Sequence, residues 1–156
     1  MSSPLTSTGR DGAHMPETGD PKEGVVSKAN AGITEHASPL SFDATLDRLA
    51  KAIERAGLTI FALIDHAAGA RSAGLAMPPT VVLIYGHAKG GTPIMLAAPQ
   101  AALDLPLRVL VREDADGRTL VAFHPITPVM LAAGVPETLA NRLEPAQALL
   151  IKEIQS

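Results

Sequence analysis

The stretch of the chain best suited to bind an anion is Gly86 to Thr92, which reads GHAKGGT and follows a run of apolar residues. Gly86 and Gly91 have the spacing of the two glycines in the phosphate loop G-x-x-x-x-G-K-[ST]. Thr92, however, occupies the position of the lysine that must reach the phosphates, and Lys89 lies inside the loop, where it cannot replace that lysine. The sequence therefore argues against nucleotide hydrolysis.

The same stretch still predicts a weaker anion site. Thr92 is a good helix N-cap and Pro93 suits the first helical position, so a short helix is expected to begin here. Free backbone amides after Gly90 and Gly91, with the Thr92 hydroxyl, would favour an anion by about 0.3 to 1 kcal/mol, or about 2 kcal/mol if partly buried. The alternative is that the glycines only form a strand-to-helix turn. The predicted ligand-binding residues here are Gly86, His87, Gly90, Gly91 and Thr92.

Asp65 and His66 are the second candidate, because they follow a predicted strand. A carboxylate beside a histidine can orient the imidazole for general acid–base catalysis, and histidine titrates nearest neutrality. Adjacent residues of a strand point to opposite faces, so the two need not act together. The alternative is that Asp65 caps a helix that begins near Ala67. Both residues are included in the predicted ligand-binding set.

A metal centre would have to draw on His66, His87 and His124, which each fall at or near the end of a predicted strand. Their spacing matches neither a helical i, i+4 pair nor the H-E-x-x-H signature. The chain has no cysteine, which excludes disulfides, thiolate zinc sites and cysteine nucleophiles. No metal and no cofactor are therefore expected.

The composition is that of one globular domain. Of the 156 residues, 46% are hydrophobic and 19% are charged, with a net charge of -3. Lys and Arg are not concentrated anywhere and only three Phe and one Tyr are present, so nucleic acid is not an expected partner. The apolar runs are too short to cross a bilayer, so we expect a cytoplasmic protein with no membrane partner. The low charge and the mean hydropathy of +0.18 predict that some apolar surface is covered in a homodimer.

The first 23 residues differ from the rest of the chain. Residues 1–23 are rich in Ser, Thr, Gly, Pro and Asp and lack a long apolar segment, so we predict a disordered tail that is neither a signal peptide nor an anchor. Residues 24–156 are predicted to form a single α+β domain.

The pattern of elements predicts the fold class. Ser41 and Gly57 bracket a helix with apolar residues at helical spacing, and the residues from Asp114 to Gly117 form the turn of a hairpin. The strand at 80–85 is apolar throughout, which predicts burial on both of its faces. Short helices follow Pro128, the last at 146–154. This order favours an α+β fold with a curved, mainly antiparallel sheet of about five strands and helices packed on one face.

An ordered set of residues resembles the family known as domain of unknown function 302. The set comprises Thr45, the segment Phe61 to Ala70, Pro79-Thr80, Gly86, the segment Gly91 to Met95, and Asp104 to Leu107. The resemblance extends over residues 32–131. It implies a compact α+β fold similar to that of the TATA-box-binding protein, usually in a homodimer, and no assigned enzyme activity.

The chain departs from the family pattern in two places. His87-Ala88 follow Gly86 where the family usually has Asn-Pro, and Phe123-His124 stand where Tyr-Asn is common. A family function that depends on those residues is therefore not implied for this chain.

The expected function is that of a non-enzymatic cytoplasmic homodimer that binds a small anionic ligand or a protein partner near Gly86–Thr92 and Asp65–His66. One alternative is an enzyme that uses His66 or His87 as acid or base with Asp65 as the orienting residue. The other is a purely structural or interaction module.

Overall fold

The structure is a computed structural model that describes residues 32–156. The predicted tail at 1–23 and the first eight residues of the predicted domain lie outside the described residues. The strands are β1 Thr34–Ser38, β2 Thr59–Asp65, β3 Thr80–Gly86, β4 Leu107–Glu113 and β5 Thr119–Phe123. The α-helices are α1 Phe42–Arg55, α2 His66–Ser72, α3 Ala88–Ala97, α4 Ile126–Ala132, α5 Glu137–Ala140 and α6 Glu144–Gln155, with 3-10 helices at Pro99–Asp104 and Asn141–Leu143.

The five strands form one sheet in the order β1-β5-β4-β3-β2, and every neighbouring pair is antiparallel. The β4–β5 hairpin closes through Asp114, whose carboxylate accepts hydrogen bonds from the backbone amides of Asp116 and Arg118, both at 2.9 Å. The α+β class and the antiparallel five-stranded sheet predicted from the sequence are confirmed.

Helix α1 begins where the sequence predicts it. The Ser41 hydroxyl accepts a hydrogen bond from the Ala44 amide at 3.2 Å, and Gly57 ends the helix in a left-handed conformation with a φ of 78°. The apolar stripe of α1, which includes the fully buried Leu49 and Ile53, packs on the sheet and against α6. The pair α1 and α6 thus covers one face of the sheet.

The strand β3, between β4 and the edge strand β2, is buried on one face only. Val81, Leu83 and Tyr85 are buried in the core beneath the helices, whereas Val82 and Ile84 are only half-buried on the opposite face. The prediction that β3 is buried on both faces was therefore wrong. A continuous apolar run is also compatible with a strand whose second face borders an open hollow, and periodicity cannot separate the two cases.

Within residues 32–156, no helix combines the length and the apolar character needed to span a bilayer.

Candidate functional site

A hollow of about 310 Å³ opens at the end of β3, and we call it the glycine cavity. Its walls come from β2, β3, α3, the start of β4 and the C-terminal helices. The residues that line it are Leu58, Phe61, Gly86, His87, Ala88, Gly90, Gly91, Thr92, Met95, Leu105, Pro106, Leu107, Arg142, Leu143 and Ala146. The cavity therefore includes the whole of the predicted glycine set.

The helix beside the cavity begins five residues earlier than predicted. His87, not Thr92, is the N-cap of α3: its backbone is extended, with φ -146° and ψ 126°, and its ring Nδ1 accepts a hydrogen bond from the Lys89 amide at 3.2 Å. The amides of Gly90 and Gly91 donate to the His87 carbonyl at 3.0 and 2.9 Å. The prediction of free amides after the glycines was therefore wrong, because a histidine ring supplies the cap that the sequence pattern assigned to Thr92.

Gly90 and Gly91 lie inside α3, and their backbone does not require glycine. Neither has a positive φ, and glycine in a helix interior destabilises by about 0.5 to 1 kcal/mol relative to alanine. A Cβ atom on Gly91 would lie 3.8 Å from Met95 Cε and 4.0 Å from Leu105 Cδ1, at ordinary contact distance. Both of these side chains line the cavity, so the glycine enlarges the cavity and relieves no clash.

The floor and walls of the cavity are apolar. Leu107 and Leu143 are buried, and Met95 and Leu105 are half-buried. Phe61 adds an aromatic wall from β2, where the register between β2 and β3 shifts at a bulge between Ile60 and Ala62. A cavity of this kind favours a ligand with apolar surface.

Three polar side chains line the cavity, and all three belong to exposed residues. They are His87, Thr92 and Arg142. Because His87 Nδ1 accepts a hydrogen bond, the neutral ring carries its proton on Nε2, which makes Nε2–H a donor. Within residues 32–156, Thr92 makes no side-chain hydrogen bond and Arg142 no ion pair. The cavity therefore holds hydrogen-bond donors that the protein itself does not use.

The wall of the cavity that contains Ala146 is joined to the sheet by Tyr85, the buried tyrosine of β3. The Tyr85 hydroxyl donates to the carbonyl of Ala146 at 2.9 Å, and burial raises the pKa of the Tyr85 phenol well above its usual range. This bond joins β3, which ends at Gly86, to the helix that carries Ala146 in the cavity wall. Both sides of the cavity are thus held in place from the core.

The structure places Asp65 and His66 away from the glycine cavity. In the β2–β3 pair, Gly86 is opposite Thr59 and Asp65 is opposite Val81, so the two predicted sites lie at opposite ends of the strands. The Asp65 carboxylate accepts a hydrogen bond from the Ala68 amide at 2.9 Å and caps α2. The prediction that the two places form one site was wrong, and the capping alternative describes Asp65.

The catalytic pairing of histidine with Asp65 has no geometric support. His66 borders a second hollow of about 700 Å³ on the sheet face opposite helices α1 and α6, together with Arg108, Arg112 and His124. The ion pairs of residues 32–156 all involve Arg or Lys and none involves a histidine. In the described part of the chain, no histidine therefore lies within 4.0 Å of a carboxylate.

The three histidines considered for a metal do not converge. His87 lines the glycine cavity, His66 and His124 border the other hollow, and His124 Nδ1 lies 2.9 Å from the carbonyl oxygen of Gly32. In the part of the chain that the structure describes, no three His, Cys, Asp or Glu side chains are grouped for a metal ion.

Sequence reasoning missed the cavity residues outside the glycine stretch. Leu58, Met95, Leu143 and Ala146 read as ordinary core residues, and no sequence signal marks Arg142, which lies in a 3-10 helix far along the chain. The role of His87 as the extended N-cap residue of α3 was also missed.

The fold and the cavity define a small α+β protein with a ligand-sized hollow at one end of an antiparallel sheet. The model of the family described as Domain of unknown function DUF302 matches residues 34–156, and the chain belongs to this family. The resemblance seen in the sequence is thereby confirmed. A crystal structure described as an uncharacterized conserved protein DUF302 from Bacillus stearothermophilus superposes with a TM-score of 0.72 at 15% identity, covering 80% of this chain and 98% of that one, and shows the same fold.

Curated relatives carry a different description. The chain is 36% identical over 118 residues to "Fluoride-specific ion channel FluC 1" of Brucella suis, a match that covers 76% of this chain and 42% of the relative. The protein of the same description from Brucella abortus matches with equal identity over 40% of its length. The chain thus spans about two-fifths of the length of these relatives.

Proposed function

We propose that this protein is a non-enzymatic binding protein of the cytoplasm that takes a small anionic ligand in the glycine cavity. The observation that carries the proposal is the pair of glycines inside α3. Gly91 leaves open space between Met95 and Leu105 at a helix position where alanine would stabilise the fold. Binding of a ligand in this space would explain why position 91 is a glycine and not an alanine.

Charge supports an anion as the ligand. Among residues 32–156, Arg142 is the one charged residue that lines the glycine cavity, and no Asp or Glu of this range lines it. The Nε2–H of His87 and the hydroxyl of Thr92 are further donors on the same walls. An anion would be met by donors with no competing carboxylate.

The test is a thermal-shift screen of small metabolite anions on the wild type and on two glycine variants. Gly91→Ala adds a methyl group between Met95 and Leu105, and we expect it to weaken the stabilisation by compounds that are large enough to fill the cavity. Gly69→Ala is the matched control, because Gly69 is also an open helix position but lies in α2, outside the cavity. A compound that stabilises the wild type and Gly69→Ala but not Gly91→Ala supports the proposal. Stabilisation that is equal in all three proteins, or absent in all three, contradicts it.

We also propose that the protein works as a homodimer that pairs through the edge strand β2. β2 is the last strand of the sheet, and it presents Phe61, Leu63 and Ile64 with exposed fractions of 54%, 54% and 40%. Leu75 and Met77, in the segment that leads back to β3, are also exposed. An exposed edge strand with apolar side chains and no Lys is a template for pairing with another strand. The other edge, β1, is shorter and carries Glu35.

Antiparallel pairing of β2 with β2 of a second copy is isologous, so it closes as a two-fold dimer. Leu63→Lys places a charge on this edge, and we expect it to convert the dimer to a monomer in sedimentation equilibrium. Leu103→Lys is the control, because Leu103 is 80% exposed and belongs to the 3-10 helix Pro99–Asp104, not to β2. A monomeric wild type at high concentration, or a dimer that survives Leu63→Lys, contradicts this interface.

The curated relatives favour a second candidate function, a partner for a membrane ion channel. The segment that matches this chain makes up about two-fifths of proteins described as fluoride-specific ion channels. In those relatives the matching segment is part of the same chain as the rest of the protein. In this candidate function, the present protein would instead bind a channel that is encoded as a separate chain. The measurement is binding of the purified protein to a purified, detergent-solubilised fluoride channel from the same organism. Leu63→Lys and Gly91→Ala serve as variants that identify the surface used, and no binding by the wild type ends this candidate.

A further inference from the structure

We infer that the ligand of the glycine cavity is an amphipathic acid, with one anionic head group and an apolar body of on the order of ten heavy atoms. This inference rests on the proposed function and specifies the chemical class of the ligand. It is carried by the way polar and apolar residues are distributed over the cavity walls.

The size of the apolar body follows from the volume. The cavity holds about 310 Å³, and a water molecule takes about 30 Å³ of liquid volume, so the space is of the order of ten such volumes. Inorganic anions such as phosphate or fluoride would leave most of this space filled only by water against apolar side chains. The apolar wall therefore selects against a compact, fully hydrated anion.

The walls change in character from the mouth to the floor. The three polar residues His87, Thr92 and Arg142 are exposed, as are Phe61 and Ala88, whereas the other non-glycine residues that line the cavity are half-buried or buried. The apolar residues beneath the rim are Leu58, Met95, Leu105, Pro106, Leu107 and Leu143. A ligand that matches this gradient keeps its charged end in contact with water at the rim and places its apolar end against the floor.

The head group is an acid because the guanidinium of Arg142 and the Nε2–H of His87 are donors at the rim that have no acceptor among residues 32–156. The guanidinium of Arg142 provides paired N–H donors suited to the two oxygens of a carboxylate. The Nε2–H of His87 is oriented as a donor because Nδ1 is held by the Lys89 amide. An ammonium head group would find no side-chain carboxylate among the residues that line the cavity.

The experiment measures the affinity of a series of saturated carboxylates, from butanoate to dodecanoate, by calorimetry below their micelle concentrations. Octanol and octylamine are the probes without an acid. We expect the affinity to rise about fourfold per methylene until the cavity is filled and then to level off. Octanoate should bind at least about tenfold more tightly than octanol or octylamine. Equal affinity for octanoate and octanol, or no dependence on chain length, overturns the inference.

Two variants separate the head group from the tail. Arg142→Met removes the guanidinium but retains a long, unbranched side chain. We expect this variant to bind octanol as the wild type does and to lose the preference for octanoate over octanol. Arg71→Met is the control, because Arg71 is exposed in α2 and does not line the cavity. In Gly91→Ala, the affinity should level off at a carboxylate about one methylene shorter than in the wild type, because the added methyl group takes up cavity space. A head-group preference that survives Arg142→Met, or an unchanged plateau in Gly91→Ala, counts against the assignment.

The outcomes also separate this inference from the proposed function. If no carboxylate of the series binds but another small anion gives a stabilisation that Gly91→Ala removes, the amphipathic ligand is wrong and the binding function stands. If neither the series nor the metabolite screen yields a response that depends on Gly91, both are wrong.

Discussion

The Tyr85 hydroxyl donates a hydrogen bond of 2.9 Å to the backbone carbonyl of Ala146, and thereby joins strand β3 to the first turn of helix α6. Tyr85 has no exposed surface and Ala146 lines the glycine cavity. The same contact therefore serves the core and the shape of the proposed ligand site.

Alkaline pH should destabilise the fold through Tyr85. Burial raises the pKa of this phenol, so the folded chain binds its proton more tightly than the unfolded chain, whose tyrosine pKa is about 10. The stabilisation is fully present below about pH 10 and is lost above it, by about 1.4 kcal/mol per pH unit. Urea unfolding of the wild type and of Tyr85→Phe over this range measures the effect, since the variant lacks the group.

The chain contains one Tyr and no Trp, so phenolate absorbance reports on Tyr85 alone. We expect no phenolate signal from the native protein until it unfolds. A normal titration of the folded protein near pH 10 would contradict the burial of this side chain. At neutral pH, Tyr85→Phe should cost about 0.5 to 1.5 kcal/mol, because the Ala146 carbonyl loses its donor.

Gln147→Leu should destabilise the protein by about 2 to 4 kcal/mol. The buried amide of Gln147 accepts from the Ile126 amide at 2.9 Å and donates to the His124 carbonyl at 2.8 Å, so it satisfies two backbone groups at the start of α4. The leucine leaves both without a partner, at about 1 to 3 kcal/mol for each. Gln155→Leu, on the exposed end of the same helix, is the control and should change the free energy of unfolding by no more than about 0.5 kcal/mol.

Alanine should have opposite effects at two helix-associated glycines. Gly90→Ala should stabilise the fold by about 0.5 to 1 kcal/mol, because Gly90 is inside α3 without a positive φ and a Cβ atom there meets nothing within 4 Å. Gly74→Ala should destabilise it by at least about 1 kcal/mol, because Gly74 has a φ of 75°. Thermal or urea unfolding measures both, and a loss of stability in Gly90→Ala would mean that the α3 backbone differs from the one described.

Acid should remove a contribution of Asp114 to stability. The Arg118 amide, followed by the Arg118 side chain and the Asp116 amide, holds the pKa of this carboxyl below its usual range. A depressed pKa means that the stabilisation is present above the unfolded value, about pH 3.9, and is lost as the pH falls through the lower folded value. Asp114→Asn should therefore be less stable than the wild type at neutral pH, with a difference that shrinks below about pH 3.9.

Asp116→Asn is the matched control for that experiment, because the Asp116 carboxylate is 81% exposed and lies 3.9 Å from the Arg118 guanidinium. Its effect on unfolding should be small at every pH. A difference between Asp114→Asn and the wild type that does not depend on pH would show that the turn does not depend on the charge of Asp114.

Local signals in the sequence predict most of the fold. Ser41 as a cap, Gly57 as a helix end and the Asp114 turn act over a few neighbouring residues, and each is found where the sequence predicts it. The start of α3 was missed because the decisive contact is the ring of His87 on the Lys89 amide, and histidine is not among the usual capping residues. Arg142 was missed because only the tertiary fold brings it to the cavity.

The sheet order has a consequence for synthesis on the ribosome. Among the described strands, β1 pairs with β5 alone, and α1 packs against α6, so about half of the chain separates each of these early elements from that partner. At about 5–20 residues per second, β1 and α1 leave the ribosome several seconds before the segments that complete them. During translation, the apolar stripe of α1 therefore stays without its partner α6, and β1 and α1 cannot make these native contacts before β5 and α6 have emerged.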